Sequence, residues 1–180
     1  MTDVDAREKA ARFYDLSPGN PNEDIAFYRE RLPSTEASVL ELGCGTGRVL
    51  IPLSESCSCI HGVDASDPMI TICREKLAER GRPPSKVNVE TGDITSIHLG
   101  RTFDQIIAPF RVLQNLESDE QVDGLFDTVR AHLGPGGRCI LNVFQPNRDP
   151  ETLRTQLYPA QCLDDAVRNL APPPFGLVEF

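Results

Sequence analysis

The residues best suited to chemistry lie in the run Val39-Leu-Glu-Leu-Gly-Cys-Gly-Thr-Gly-Arg48, where an apolar stretch enters a turn with glycine at 43, 45 and 47 before a helical stretch begins. Such a turn aims backbone N–H groups and the positive end of a helix at an open crevice, and glycine lets a ligand come close to the backbone. The spacing is G-x-G-x-G rather than the G-x-G-x-x-G of a dinucleotide loop, with Arg48 standing where the third glycine would fall. Glu41 also disfavours a phosphate, because a carboxylate ~4 Å from one is repelled by about 4 kcal/mol at an effective dielectric near 20, whereas an ammonium is attracted. Its alternative role is to brace the loop by bonding backbone amides. Asp64 closes GVD, 21 residues after Gly43, and is placed to accept hydrogen bonds from both hydroxyls of a ribose. Asp93, in VETGDI, follows the next apolar run, where an acid accepts from an exocyclic adenine amine. The implied ligand carries an amine, a diol and an adenine, without phosphate.

These residues need a scaffold that brings strand ends together. Apolar patterning predicts strands at Ser38 to Leu42, Ser58 to Val63, Lys86 to Glu90, Phe103 to Ala108 and Arg138 to Phe144, and helices at Arg48 to Glu55, Pro68 to Arg80 and Asp119 to Leu133. The helix in SDPMITICREKLAERG has Ser66 or Asp67 as N-cap, Pro68 in its first turn and Gly81 after its last. Leu133-Gly-Pro-Gly-Gly137 reads as a helix stop and a tight turn. Strands such as IIAPF and CILNVF are apolar on both faces, so the fold is a Rossmann-like, doubly wound α/β domain with a mostly parallel sheet and helices on both faces. Ahead of it, Val4 to Leu16 and Asp24 to Leu32 read as helices lying across the carboxyl-end rim. The organisation is therefore 1–33 over the site, 34–146 as the binding core, and 147–180 as an irregular tail with a triple proline at 172–174.

A chain of 180 residues with 39% hydrophobic and 25% charged residues fits one globular domain. Its net charge of −9 repels a polyphosphate backbone and argues against nucleic acid as partner. No run approaches the ~20 apolar residues of a membrane span, and the charged start MTDVDAREKAARFYDL is unlike a signal peptide, so a cytoplasmic protein without a membrane partner is expected. The cysteines at 44, 57, 59, 73, 139 and 162 then stay reduced. Cys57, Cys59 and His61 alternate along one strand and lack the separated second ligand pair of a zinc site, so no metal is expected.

At this point the chain resembles the class I S-adenosylmethionine-dependent methyltransferases. The resemblance spans roughly Arg12 to Pro146 and rests on ELGCGTG at 41–47, GVDASDPMI at 62–70, GDI at 92–94, FDQIIAPFRVLQNL at 103–116 and LGPGGRCILNVF at 133–144. It implies S-adenosylmethionine as cofactor, S-adenosylhomocysteine as product and a small-molecule acceptor. Carried over by position, Glu41, Gly43, Cys44 and Gly45 surround the methionyl part, and Asp64 takes the ribose. Ala65 and Met69 flank the adenine, and Asp93 with Ile94 reads its edge. Phe110 and Arg111 run beside the methyl group, and Tyr14 closes over the cofactor. Methyl transfer needs alignment more than a dedicated base, and the polar side chains near the expected mouth are Tyr14, His98, Arg111, Gln114 and Asn115.

The bland readings are a capping acid at Asp64, a core filler at Met69, a solvated cation at Arg111, structural roles for His61 and His132, and an exposed loop residue at His98. Members of the family usually end the sheet with two further strands, one antiparallel beside the fifth, and neither is clear here. The edge of the fifth strand is expected to be open to a homodimer, or filled by FGLVEF at 175–180 or a second subunit. The competing functions are a cofactor-binding module without turnover and, more weakly, a nicotinamide-dependent reductase.

Overall fold

The computed structural model describes residues 11–13, 23–81, 83, 85–144 and 175–179. Helices α1 (Glu23–Glu30), α2 (Leu50–Leu53), α3 (Asp67–Glu79) and α4 (Asp119–His132) accompany strands β1 (Ser38–Leu42), β2 (Cys59–Asp64), β3 (Val87–Thr91), β4 (Phe103–Ala108), β5 (Leu133–Phe144) and β6 (Phe175–Glu179). A 3₁₀ turn covers Val112–Asn115, and residues 11–13 are helical. The strands form one sheet in the order β3-β2-β1-β4-β5-β6, with the first five parallel and β6 antiparallel to β5.

Strand β1 is buried along almost its whole length, as a central strand covered on both faces must be. Its side chains alternate. Val39 joins Tyr28, Leu50, Ile60, Ile70 and Leu77 on one face, where α1, α2 and α3 lie. Leu40 and Leu42 join Val63, Ile106, Leu125 and Leu141 on the other, beneath α4. The strand order turns back at β1, with β2 on one side and β4 on the other, so a crevice opens outside the carboxyl ends of β1 and β4. Helix α3 carries the expected punctuation, with Ser66 extended at its N-cap, Pro68 in the first turn and Gly81 at φ 61° beyond its end. Helix α4 starts where Ser118 Oγ accepts from the Gln121 amide, with Asp119 and Glu120 in its first turn and Arg130 and His132 in its last.

Two expectations are corrected and one set of alternatives is resolved. The helix after the glycines contracts from Arg48–Glu55 to Leu50–Leu53, because residues 45–49 form successive turns. The LGPGG segment ends α4 but belongs to β5, where the register jumps from Phe103↔Leu133 to Gln105↔Arg138 and residues 134–137 bulge from the ladder. The sheet also has a sixth strand. β6 pairs with β5 from Ile140↔Glu179 to Phe144↔Phe175, so of the alternatives for this edge it is the chain's own Phe175–Glu179 that covers it. Among the described residues, no helix is long and apolar enough to cross a membrane.

Candidate functional site

The turn after β1 is tied to the end of β2. The amides of Gly43 and Cys44 both donate to the Val63 carbonyl, at 2.8 and 3.0 Å, and the Gly47 amide donates to Cys44 O at 2.9 Å. The Gly45 amide donates to Asp64 Oδ2 at 2.8 Å, while Asp64 Oδ1 accepts from the Ser66 amide at 2.9 Å. Asp64 is thus the acid that braces the loop, a role the sequence left open for Glu41. Each of its oxygens retains a lone pair.

The glycines differ in what surrounds them. Gly43 (φ 72°) lies under Val112, whose Cγ2 would stand 2.4 Å from an added Cβ. Gly45 (φ 53°) faces open space, with nothing nearer than Asp64 Oδ2 at 4.0 Å. That space belongs to a cleft of about 290 Å³, including its open mouth, lined by Glu41, Gly43 to Thr46, Arg48, Val49, Pro109 and Phe110.

Glu41 is 2% exposed, and its Oε2 has no hydrogen-bond partner. Burial pushes its carboxyl well above the ordinary range, with Arg48 opposing and Asp24 and Asp64 adding to the rise. Arg48 is held by Asp24 of α1 through two bonds, at 2.6 and 2.7 Å, and both side chains are about nine-tenths buried, at 10% and 9% exposure. Tyr28, on the same helix, is fully buried with an unpartnered hydroxyl. Burial, then Asp24 and Glu41, push its phenol up. The Cys44 thiol is raised mainly by burial as well.

The wall opposite the glycines is strained. Phe110 and Arg111 both have left-handed backbones, at φ 52° and 64°, a conformation costing ~1–2 kcal/mol per residue away from glycine. Buried Asn142 on β5 accepts from the Arg111 amide at 3.3 Å, and the Phe110 ring lies 5.5 Å from the Arg48 guanidinium and 5.2 Å from that of Arg111.

The structure therefore brings Glu41, Gly43, Cys44, Gly45 and Phe110 around one cleft and joins Asp64 to it through Gly45. Ala65 is exposed just beyond, and Met69 is half-buried at the start of α3. Asp93 and Ile94 lie past the end of β3 and do not line this cleft. Asp93 Oδ1 accepts from the Thr95 amide and hydroxyl, which hold its carboxyl below the usual range, and Ile94 packs on the core. Arg111, Gln114 and Asn115 are exposed in and beside the 3₁₀ turn. His98 bonds Ser96 O at 3.1 Å, away from the cleft lining. Tyr14 lies outside the described residues. Cys57 packs in the core on one face, whereas His61 meets Phe103 edge to face on the other and bonds Glu90 at 2.7 Å. Sequence reading missed Asp24, Tyr28, Arg48 and Asn142. The only available signal was Arg48 directly after the last glycine, since nothing in a single sequence pairs positions 24 and 48.

Residues 39–137 match the family model described as a methyltransferase domain. The chain is 29% identical, over 72% of its length and 50% of the relative's, to dTDP-3-amino-3,4,6-trideoxy-alpha-D-glucopyranose N,N-dimethyltransferase of Streptomyces venezuelae. It is 33% identical to the CcbJ methyltransferase from Streptomyces caelestis, whose structure it matches with a TM-score of 0.64 over 76% of this chain and 56% of that one. The glycopeptide N-methyltransferase MtfA, in complex with S-adenosylmethionine, shares the fold at 24% identity and a TM-score of 0.63, over 75% of this chain and 54% of that one. The chain spans about half the length of the curated relatives it matches.

Proposed function

Because this chain belongs to the methyltransferase-domain family, we propose that it binds S-adenosylmethionine in the cleft and methylates a small-molecule amine. The observation that carries this reading is the buried, unpartnered Glu41 oxygen in a glycine-walled cleft, which suits an ammonium and, in its ionised form, would repel a phosphate. The open side of Gly45 leaves room for a ligand against the backbone, and Asp64 keeps lone pairs for a diol. These residues fit the group.

Glu41 and the loop from Gly43 to Gly45 would hold the methionyl end, and Asp64 the ribose. Ala65, Met69, Asp93 and Ile94 would flank the adenine. When bound, the cofactor supplies a methyl carbon on a positively charged sulfur. Phe110 and Arg111 would wall the methyl side, fixing the line of approach and excluding water. A neutral amine brings its own electron pair, so no base is assigned. An amine acceptor is supported by the N-methylating relative. Residues 34–146 are assigned as the cofactor-binding core and 1–33 as its cover, on the strength of the Asp24–Arg48 contact.

Calorimetric titration with S-adenosylmethionine, S-adenosylhomocysteine and NADH, followed by incubation with amino-sugar nucleotides, tests the reading. Binding of the first two and formation of S-adenosylhomocysteine with a methylated amine are expected. Binding of NADH alone overturns it, and cofactor binding without turnover on any amine reduces it to a binding module.

A further inference from the structure

We propose that Glu41 carries a proton in the cofactor-free protein and releases it as the cationic cofactor enters, so that binding and deprotonation of this carboxyl are one linked event. The inference rests on the cleft being an S-adenosylmethionine site and adds a proton to its stoichiometry.

Glu41 sits at the end of β1 with an unpartnered oxygen on a cleft wall, and only 2% of the residue reaches solvent. A bare carboxylate there would be a buried charge short of hydrogen bonds, whereas the neutral acid loses only the hydration of a polar group. Among the described residues, the groups acting on it are Asp24 and Tyr28 from α1, Cys44 and Arg48 from the loop, and Asp64 from β2. Toward β4 the wall is Pro109 and Phe110, which carry no charge. Arg48 is the cation in this set, and Asp24 already engages it through two bonds. With Glu41 ionised, it would compete with Asp24 for one guanidinium while also feeling the charge of Asp64. Burial and the two aspartates accordingly hold the Glu41 proton on. The Cys44 thiol and Tyr28 phenol are themselves pushed up, so both stay protonated before and after binding.

An ammonium arriving within ~4–6 Å reverses the preference, because an opposite charge favours the ionised acid. The O–H bond of Glu41 breaks, its proton passes to the buffer, and the carboxylate pairs with the ammonium. Nothing is oxidised or reduced. The ligand's own α-amine has an unperturbed pKa of ~7.7–8.0 and is already protonated near pH 6.5. Any contribution from it would be proton uptake, of the opposite sign.

The test is calorimetry of S-adenosylmethionine and S-adenosylhomocysteine binding to the full chain near pH 6.5, in buffers of different ionisation enthalpy. Proton release of up to about one per bound ligand is expected, with affinity rising by at most about tenfold per pH unit in that range. Glu41→Gln should bind more weakly and release none. If that variant does not fold, difference infrared spectra of the wild-type protein should lose a protonated-carboxyl band on binding. Binding enthalpies independent of buffer, proton release that persists in Glu41→Gln, or an unchanged carboxyl band would overturn the proposal while leaving the cofactor site intact. Failure of both ligands to bind would overturn the site itself, and the proposal with it.

Discussion

Alanine at Gly45 and alanine at Gly43 should separate binding from folding. At Gly45 the new methyl group meets no protein atom nearer than Asp64 Oδ2 at 4.0 Å, so the fold bears only the left-handed backbone at φ 53°. That costs ~1–2 kcal/mol. For a chain of this size, ~1 kcal/mol lowers the melting temperature by about 2–4 °C, so a drop of roughly 2–8 °C is expected. The same methyl projects into the cleft, where it takes space from the ligand, and affinity for S-adenosylmethionine should fall at least about tenfold, or ~1.4 kcal/mol. At Gly43 the methyl would come within 2.4 Å of Val112 Cγ2. Overpacking of ~1–3 kcal/mol then adds to the backbone cost, for a total of roughly 2–5 kcal/mol. Differential scanning fluorimetry and calorimetric titration of both variants measure the two quantities separately. Wild-type affinity in Gly45→Ala, or a lower melting temperature for Gly45→Ala than for Gly43→Ala, would refute the reasoning.

Replacing Asp64 with alanine removes a charged acceptor whose hydrogen bonds are typically worth ~1.5–3 kcal/mol, so cofactor affinity should drop roughly 10- to 100-fold; an unchanged dissociation constant would remove Asp64 from the site. Asp24→Asn removes the negative charge from a largely enclosed ion pair with Arg48 and should cost ~3–5 kcal/mol in urea unfolding, with part recovered by adding Arg48→Gln. A loss under about 1 kcal/mol would contradict the pairing. Burial holds the His61 imidazole below its ordinary value of 6.5, and the bond to Glu90, whose side chain is 41% exposed, only partly opposes this. The unfolded chain therefore takes up this proton at higher pH than the folded one. The stability that His61 contributes is fully present above about 6.5 and is lost as pH falls through its lowered value. Unfolding curves between pH 7 and 5 should steepen in pH dependence for the wild type relative to His61→Gln, and parallel profiles would rule this out.

The parallel core was legible because its strands are buried on both faces and read as near-continuous apolar runs. SVLEL and FDQIIA were found to the residue. Asp64 and the glycines were legible because backbone geometry and residue type coincide there. The Asp24–Arg48 pair was not, since it joins a helix and a loop through side chains that each look like ordinary surface charges. Asn142 was hidden for a similar reason, as an amide in an apolar strand gives no hint that it will meet the Arg111 backbone. FGLVEF stood only as one of the candidates for the edge of the fifth strand, because an antiparallel strand returning from more than thirty residues away leaves no local period to read.

The pair of left-handed residues at Phe110 and Arg111 bears on how this protein would respond to selection for heat resistance. Glycine at Arg111 would relieve ~1–2 kcal/mol of backbone strain and return ~0.5–1 kcal/mol through a more flexible unfolded chain, so a modest gain in melting temperature is expected. The same change would loosen the wall that Asn142 holds against the cleft. Directed evolution for thermostability should therefore enrich substitutions at this turn and erode turnover in the survivors, a trade of activity for stability located at one identifiable peptide unit.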